Sequence, residues 1–270
     1  MCATCGCSDH VEGREGLQAH DHDHAHGHDH AHGHDPHHAP PGSDVAPAGT
    51  DPATRVRLER EILGKNDRLA AQNRAWLAER GVLAVNLISS PGSGKTTLLE
   101  RVVARLDGSP PLLVIEGDQA TSRDADRIRA AGARAIQINT GAGCHLDAHM
   151  VLHALADLDP PRGSIVMIEN VGNLVCPALF DLGEAERMVL FSVTEGEDKP
   201  LKYPHVFRSS SVLVLGKVDL LPYVPFDRAR ALENAALASP RARVFEVSAT
   251  RGDGLDELAG FLRRRAVELG

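Results

Sequence analysis

The chain predicts an α/β fold: a P-loop nucleotide-binding domain with a mostly parallel sheet covered by helices on both faces, preceded by a disordered metal-binding leader. Three observations carry this. Short apolar runs without polar alternation recur at 82–88, 112–115, 135–138, 165–168, 188–193, 212–215 and 244–247, and strands apolar on both sides belong to sheets buried between helices. Stretches of helical periodicity at 97–106, 123–131 and 255–269 separate several of them. The first run leads into Gly92-Ser93-Gly94-Lys95-Thr96 and then a helix, the context in which a glycine-rich loop cradles phosphate.

Taken in order, residues 1–53 hold few large apolar side chains and many Gly, Pro, Asp and His, too little to offset the entropy of ordering. This leader carries one basic residue, Arg14, against nine acidic ones, which accounts for the whole net charge of −8. Residues 54–270, read as a single GTPase domain, are therefore neutral overall. A neutral domain with an acidic tail lacks the basic face that DNA or RNA requires, so nucleic acid is excluded as a partner. No apolar run approaches the roughly 20 residues of a membrane span, and the start lacks the basic and apolar regions of a secretory signal. These features predict a cytoplasmic protein with no membrane partner. Five cysteines, three of them in the first seven residues, argue for ligation or redox chemistry over disulfides. The first helix starts at Asp51-Pro52, a capping carboxylate followed by proline at the first helical position. It runs to Arg80, with Leu58, Ile62, Leu69 and Trp76 on one face and Gly81 as its C-terminal cap.

In the phosphate loop, Gly92, Ser93 and Gly94 bring backbone N–H groups to phosphate oxygens, Lys95 reaches the β- and γ-phosphates, and the Thr96 hydroxyl joins Mg²⁺, with Thr97 beside it in the opening turn of the helix. Ser89 stands where the usual pattern has its first glycine. A bound nucleotide and its metal also need carboxylates at neighbouring strand ends. Asp118, Asp124 and Glu169 are the candidates, and with Lys95 they form the expected catalytic set. Gly172, three residues beyond Glu169, offers an amide to the γ-phosphate. For Asp124 a surface acid or helix cap is an equal reading. Base recognition falls to Gly216-Lys217-Val218-Asp219: the Asp219 carboxylate accepts from guanine N1 and N2, and the Lys217 stem packs over the ring. Ser248-Ala249-Thr250 matches the remaining guanine-contacting loop. GTP is expected over ATP. Gly216 occupies the place of the usual asparagine, which predicts a lost tether to the phosphate loop and weaker guanine binding.

Metal donors fall in three groups. Cys2, Cys5 and Cys7, spaced C-x-x-C-G-C, can wrap three thiolates around Ni²⁺, Zn²⁺ or Cu⁺, and a free Cys2 amine would add a square-planar donor favouring Ni²⁺. Redox thiols or part of an iron–sulfur site are the alternatives. A tract with histidines at 20, 22, 24, 26, 28, 30, 32, 34, 37 and 38 reads as a weak, unselective buffer, with a cloning tag as the other reading. Cys144, His145 and Cys176 form a possible third site inside the folded domain. They leave a tetrahedral ion one ligand short, which invites water or a symmetry partner. Two core cysteines and a loop histidine are the alternative. His149 and His153, four and eight residues beyond His145, could share its helix face, with packing or exposed side chains as the favoured reading.

The segments Glu169-Asn-Val-Gly-Asn-Leu-Val-Cys176-Pro177 and Asn139-Thr-Gly-Ala-Gly-Cys-His-Leu-Asp-Ala148, together with the N-terminal C-x-x-C-G-C, resemble the HypB family of nickel-insertion GTPases that mature [NiFe] hydrogenases. The resemblance covers the leader and nearly all of 54–270. It implies a homodimer formed on GTP binding, a HypA-type nickel chaperone as partner and the hydrogenase large-subunit precursor as recipient. It also implies a tight nickel site at Cys2, Cys5 and Cys7 and an interfacial site at Cys144, His145 and Cys176, with Lys199 and Lys202 near nucleotide across the dimer. No arginine finger or water-positioning glutamine is evident, which predicts slow hydrolysis with charge carried by Mg²⁺ and Lys95. Nickel or zinc storage through the histidine tract and a urease-type accessory GTPase are the competing functions. The cysteine motif and the Cys144-His145 pair argue against the urease type.

Overall fold

The computed structural model describes residues 51–118, 123–141 and 143–270. Cys2, Cys5, Cys7 and the histidine tract lie outside the described residues.

Helix α1 (Pro52–Glu79) precedes an alternation of β1 (Leu83–Ser89), α2 (Lys95–Leu106), β2 (Leu112–Asp118), α3 (Arg123–Ala130), β3 (Arg134–Asn139), α4 (Ala148–Leu158) and β4 (Ile165–Glu169). The second half continues through β5 (Glu186–Ser192), the short helices α5 (Lys199–Lys202) and α6 (Pro204–Arg208), β6 (Val212–Gly216), α7 (Arg228–Ala238), β7 (Arg243–Val247) and α8 (Leu255–Leu269). All seven strands pair in parallel in the order β3-β2-β4-β1-β5-β6-β7. Their carboxyl ends therefore share one edge, where open α/β sheets bind ligands.

Each predicted strand is present. Strand β2 extends beyond its apolar run through Glu116-Gly117-Asp118, and β5 begins at Glu186, ahead of the run at 188. Every residue of β1 is buried, as expected for a central strand covered on both faces. On one face Val85, Leu87, Val114 and Met167 pack with Leu99, Val102 and Leu262 of α2 and α8. On the other, Ala84, Ile115 and Ile168 meet Leu77 of α1 and Val151 and Leu155 of α4. Farther along that face Phe191 meets Phe207 edge-on, centroids 5.4 Å apart.

Helix α1 starts as the sequence predicts, with the Asp51 carboxylate accepting from Thr54 N at 3.3 Å, and Gly81 follows it at φ +60°. Its buried stripe differs from the expected one. Of the expected stripe Trp76 packs half-buried against the core and Leu69 is half-buried, whereas Leu58 and Ile62 are exposed, and the fully buried residues of the helix are Asn66, Ala70, Asn73 and Leu77. The reason is polar. Asn66 accepts from Ala148 N at 2.9 Å and donates to Asp181 O at 2.8 Å. Asn73 Nδ2 donates to Ala148 O and Leu182 O, at 2.8 and 3.0 Å. Backbone groups buried at the start of α4 need partners, and the two asparagines supply them, which turns the helix away from its purely apolar face.

Candidate nucleotide site and metal centre

The loop after β1 is held by the residue that departs from the usual pattern. Ser89 Oγ accepts from Ser93 Oγ at 2.6 Å and from Lys95 Nζ at 3.0 Å, and donates to Ser90 O at 2.9 Å. Gly94 adopts φ +102°, a conformation that lets the loop turn its N–H groups toward the start of α2. Burial pushes the Lys95 ammonium down from its ordinary value, against the pull of the Glu169, Asp124 and Glu116 carboxylates. Gly172 lies against the loop, where a side-chain Cβ would come within 3.2 Å of three Pro91 atoms.

Glu169, at the carboxyl end of β4, is 4% exposed. Its Oε1 accepts from Thr96 Oγ1 at 3.3 Å, whereas its buried Oε2 has no hydrogen-bond partner among the described residues. Directly across the β2–β4 register sits Glu116, 2% exposed, whose Oε2 is also unpartnered. Sequence reasoning missed Glu116. The available signal was an acid directly after the apolar run 112–115, since a charge buried in a strand demands compensation. Burial, reinforced by the neighbouring acids, raises the Glu116 carboxyl to about 8. Burial likewise raises Glu169 to about 7, despite Lys95. Two buried carboxylates with open oxygens beside a loop threonine form an all-oxygen donor set of the kind a hard divalent cation such as Mg²⁺ takes.

Asp118 ends β2, and its carbonyl accepts from Thr140 N at 2.9 Å. Asp124 lies in the first turn of α3, paired with Arg127 at 3.3 Å. Arg127 also binds Glu100 at 2.9 Å. Residues 119–122, between the two aspartates, lie outside the described residues.

Of the residues expected to meet the base, Lys217, Asp219, Ala249 and Thr250 line a cavity of about 250 Å³ together with Ser93, Gly94 and Thr97 of the phosphate-loop region. The Asp219 carboxylate accepts from Ser248 Oγ at 2.7 Å and Thr250 Oγ1 at 3.0 Å. These hydroxyls, Ser248 first, hold its pKa below the usual carboxylate value. The tether expected to be missing at Gly216 is supplied by the next residue: Lys217 Nζ donates to Gly92 O at 2.8 Å. Lys199 and Lys202 pair within their own chain, with Glu195 at 3.1 Å and Asp198 at 2.7 Å.

Cys144, His145 and Cys176 converge, with one donor atom from each lying within 4.8 Å of the others. Cys144 Sγ is 3.7 Å from His145 Nδ1, and the His145 ring stacks on Phe180 at 3.9 Å between centroids. Hydrogen bonding with the Cys176 thiol, together with burial, raises the Cys144 thiol above its ordinary value. Two sulfurs and an imidazole suit late transition metals. A polar network ties this cluster to the end of β4. Asn170 Oδ1 accepts from Leu146 N at 3.1 Å, and Asn173 Nδ2 donates to Cys144 O at 3.3 Å. Asn170 Nδ2 in turn donates to Asn86 Oδ1 at 3.4 Å, and Asn86 donates to Glu184 at 3.2 Å.

Residues 83–246 match the family model described as the CobW/HypB/UreG nucleotide-binding domain. The hydrogenase maturation factor HypB of Azotobacter vinelandii is 48% identical over 285 aligned positions, covering 100% of this chain and 94% of that protein. HypB of Escherichia coli K12 is 54% identical over 207 positions, 77% of this chain and 71% of its own length. Among solved structures, HypB from Archaeoglobus fulgidus superposes with a TM-score of 0.71 at 41% identity, covering 75% of this chain and 99% of that one. HypB from Helicobacter pylori, crystallised in complex with nickel, gives 0.70 at 39%, covering 76% and 96%. No helix among the described residues is long and apolar enough to cross a membrane. The chain belongs to the HypB family of CobW/HypB/UreG nucleotide-binding proteins.

Proposed function

We propose that this protein is a cytoplasmic GTPase and nickel metallochaperone that delivers Ni²⁺ to the [NiFe] hydrogenase large-subunit precursor. In this reading the Cys144, His145 and Cys176 site is coupled to nucleotide state and to dimerisation. The observation that carries it is the short segment from Glu169 to Cys176. One end contacts the phosphate-loop threonine and the other supplies a metal-site thiol, while Asn170 and Asn173 bond to the loop bearing Cys144 and His145. Relatives named as hydrogenase maturation factors, and one solved with nickel, support the choice of cargo.

The work divides between a leader, residues 1–53, where Cys2, Cys5 and Cys7 capture nickel, and a GTPase domain, residues 54–270. Asp219 accepts from guanine N1–H and N2–H, a pair of donors adenine lacks. The Ser248 and Thr250 hydroxyls keep it ionised for that purpose, and Lys217 and Ala249 flank the ring. Lys95 exchanges its bond to Ser89 Oγ for the β- and γ-phosphates, where the amides of Gly92, Ser93 and Gly94, beside Thr97, cradle the oxygens. Thr96 and Glu169, with Glu116, Asp118 and Asp124 around them, would hold Mg²⁺, which when bound supplies charge neutralisation for phosphoryl transfer. Gly172 presents its amide to the γ-phosphate, so loss of that phosphate alters the segment that ends in Cys176. The homodimer would complete the coordination of nickel at Cys144, His145 and Cys176, or of Zn²⁺ in competition. A HypA-type chaperone exchanges the ion.

The test is a nickel titration of the full chain carrying Ala at positions 2, 5 and 7, so that thiolate-to-nickel absorption reports Cys144 and Cys176 alone. It is run once with GDP and Mg²⁺ and once with a non-hydrolysable GTP analogue and Mg²⁺. A several-fold difference in affinity that disappears in Cys176→Ala is expected. Equal affinities in the two states would overturn the coupling.

A further inference from the structure

We infer that Arg187, at the start of β5, is a positioning residue for the metal centre: its guanidinium fixes the turn that carries Cys176 and, through Phe180, the imidazole of His145. The inference rests on the nickel reading of that centre given above. A guanidinium carries five N–H donors in one planar fork, and here all five are engaged. Nε and Nη2 donate to Glu184 Oε1 at 2.9 and 2.7 Å. Nη2 also donates to Phe180 O at 3.3 Å, and Nη1 donates to Ala178 O at 3.2 Å and to Ser209 Oγ at 3.1 Å. The Arg187 side chain is 12% exposed and that of Glu184 5%, so the two charges pair largely out of water, where geometry is held firmly.

The two carbonyls give this fork its meaning. Cys176 opens a single 3-10 turn, Cys176–Ala178, which Leu179 N closes by donating to Cys176 O at 3.0 Å. Pro177 is buried, but Val175 and Leu179, on either side of the turn, are 58% and 59% exposed. Apolar burial therefore holds the turn at one point, and a polar anchor must do the rest. Arg187 grips its last carbonyl, on Ala178, and then the carbonyl of Phe180, whose ring lies on that of His145. Glu184 sets Arg187 in turn. Its Oε2 accepts from Leu182 N at 2.8 Å, and its Oε1 accepts from the fully buried Asn86 at 3.2 Å. A site gains precision when the groups behind its ligands are locked in this way.

Arg187→Lys keeps a cation beside Glu184 but brings only three donors on a compact head, too few to hold Glu184, Ser209 and both carbonyls. Two measurements on the full chain test it. Diethylpyrocarbonate labelling of the metal-free protein, mapped by peptide mass spectrometry against added N-acetylhistidine, reads how well the Phe180 ring covers His145. Nickel titration with GDP present, in the background carrying Ala at positions 2, 5 and 7, reads the thiolate centre. In Arg187→Lys, His145 should be modified several-fold faster and nickel should bind several-fold more weakly, with GDP affinity at the parental value showing that the domain is folded. Phe180→Leu alone should also speed labelling of His145, and adding Arg187→Lys to it should change little further, because both act on one stack. Parental labelling of His145 or parental nickel affinity in Arg187→Lys would overturn the inference, since an ion pair that only stabilises the fold would lower the melting temperature and leave both untouched. Additive effects of the two substitutions on His145 would overturn it as well. A parent without thiolate-to-nickel absorption would sink the nickel reading instead, and the metal-free labelling of His145 would still decide the role of Arg187.

Discussion

Asn170 accepts a hydrogen bond from the backbone N–H of Leu146 at 3.1 Å, so the residue following Glu169 grips the residue following His145. The bond is buried and crosses between the two candidate sites. Asn170→Ala should leave each site able to bind its own ligand while removing their communication. A nucleotide effect on nickel affinity of roughly 5–150-fold, the range for couplings of about 1–3 kcal/mol, should collapse toward unity. Nickel titrations in the two nucleotide states check this. Leaving Leu146 N unsatisfied should also lower unfolding free energy by about 1–3 kcal/mol, read from urea denaturation.

Asp219 is ready to meet a base with two donors, because its oxygens already accept from Ser248 and Thr250. Asp219→Asn replaces an acceptor with a donor. GDP affinity should fall by at least tenfold, given that hydrogen bonds to a charged group contribute about 1.5–3 kcal/mol. Xanthine nucleotides, which offer a carbonyl where guanine has its amino group, should bind the variant better than guanine nucleotides do. Calorimetry with GDP and XDP measures both changes.

The nucleotide-free protein should lose stability as pH rises. Glu116 and Glu169 are raised from 4.5 to about 8 and about 7. A carboxyl raised on folding favours the folded state fully below its unfolded value, and this contribution is lost as pH climbs through the folded values. The melting temperature without nucleotide or divalent metal should thus decline between about pH 5 and pH 8. Glu116→Gln, which cannot ionise, should flatten that decline and melt higher than the parent at pH 8. The gain should be about 2–4 °C for each kcal/mol recovered. Scanning calorimetry across that range, with EDTA present, is the measurement.

Gly172→Ala should weaken nucleotide binding without unfolding the domain. The added methyl would press on Pro91 Cα, N and Cγ at 3.2 Å, and backbone yields less readily than the end of a side chain. The phosphate loop must shift by a few tenths of an ångström. Several-fold weaker binding of a fluorescent GDP analogue is expected, with an unchanged circular dichroism spectrum. Full parental affinity would show that the loop gives way at no cost.

The inner strands were legible because they are apolar on both sides, a pattern few other elements share, and the partly exposed edge strands β3 and β7 from their short apolar runs. The phosphate loop was legible because its glycines, lysine and threonine sit between a strand and a helix. Glu116 was not. It sits in β2 where the apolar run stops, and only the pairing of β2 with β4 brings it beside Glu169. The buried face of α1 was misread in part for a related reason: Asn66 and Asn73 are polar in sequence, and their partners, Ala148, Asp181 and Leu182, are between 75 and 115 residues away. Cys144 and Cys176 could be nominated by residue type, but their approach depends on where the loop before α4 meets the turn after β4. Gly216 is a departure whose effect comparison with a motif does not show, since the long side chain of Lys217 reaches the loop from one position later.

The lateral order of the sheet also acts as a ruler. The acids beside the phosphate loop lie at the ends of β2 and β4, and Asp219, proposed to meet the base, follows β6, with β1 and β5 between. From β4 to β6 is three strand spacings, about 14 Å at roughly 4.8 Å each. A free base or a bare phosphate can occupy one end of that interval, whereas a nucleoside polyphosphate can touch both. The sheet therefore measures the length of its ligand before any side chain inspects its chemistry.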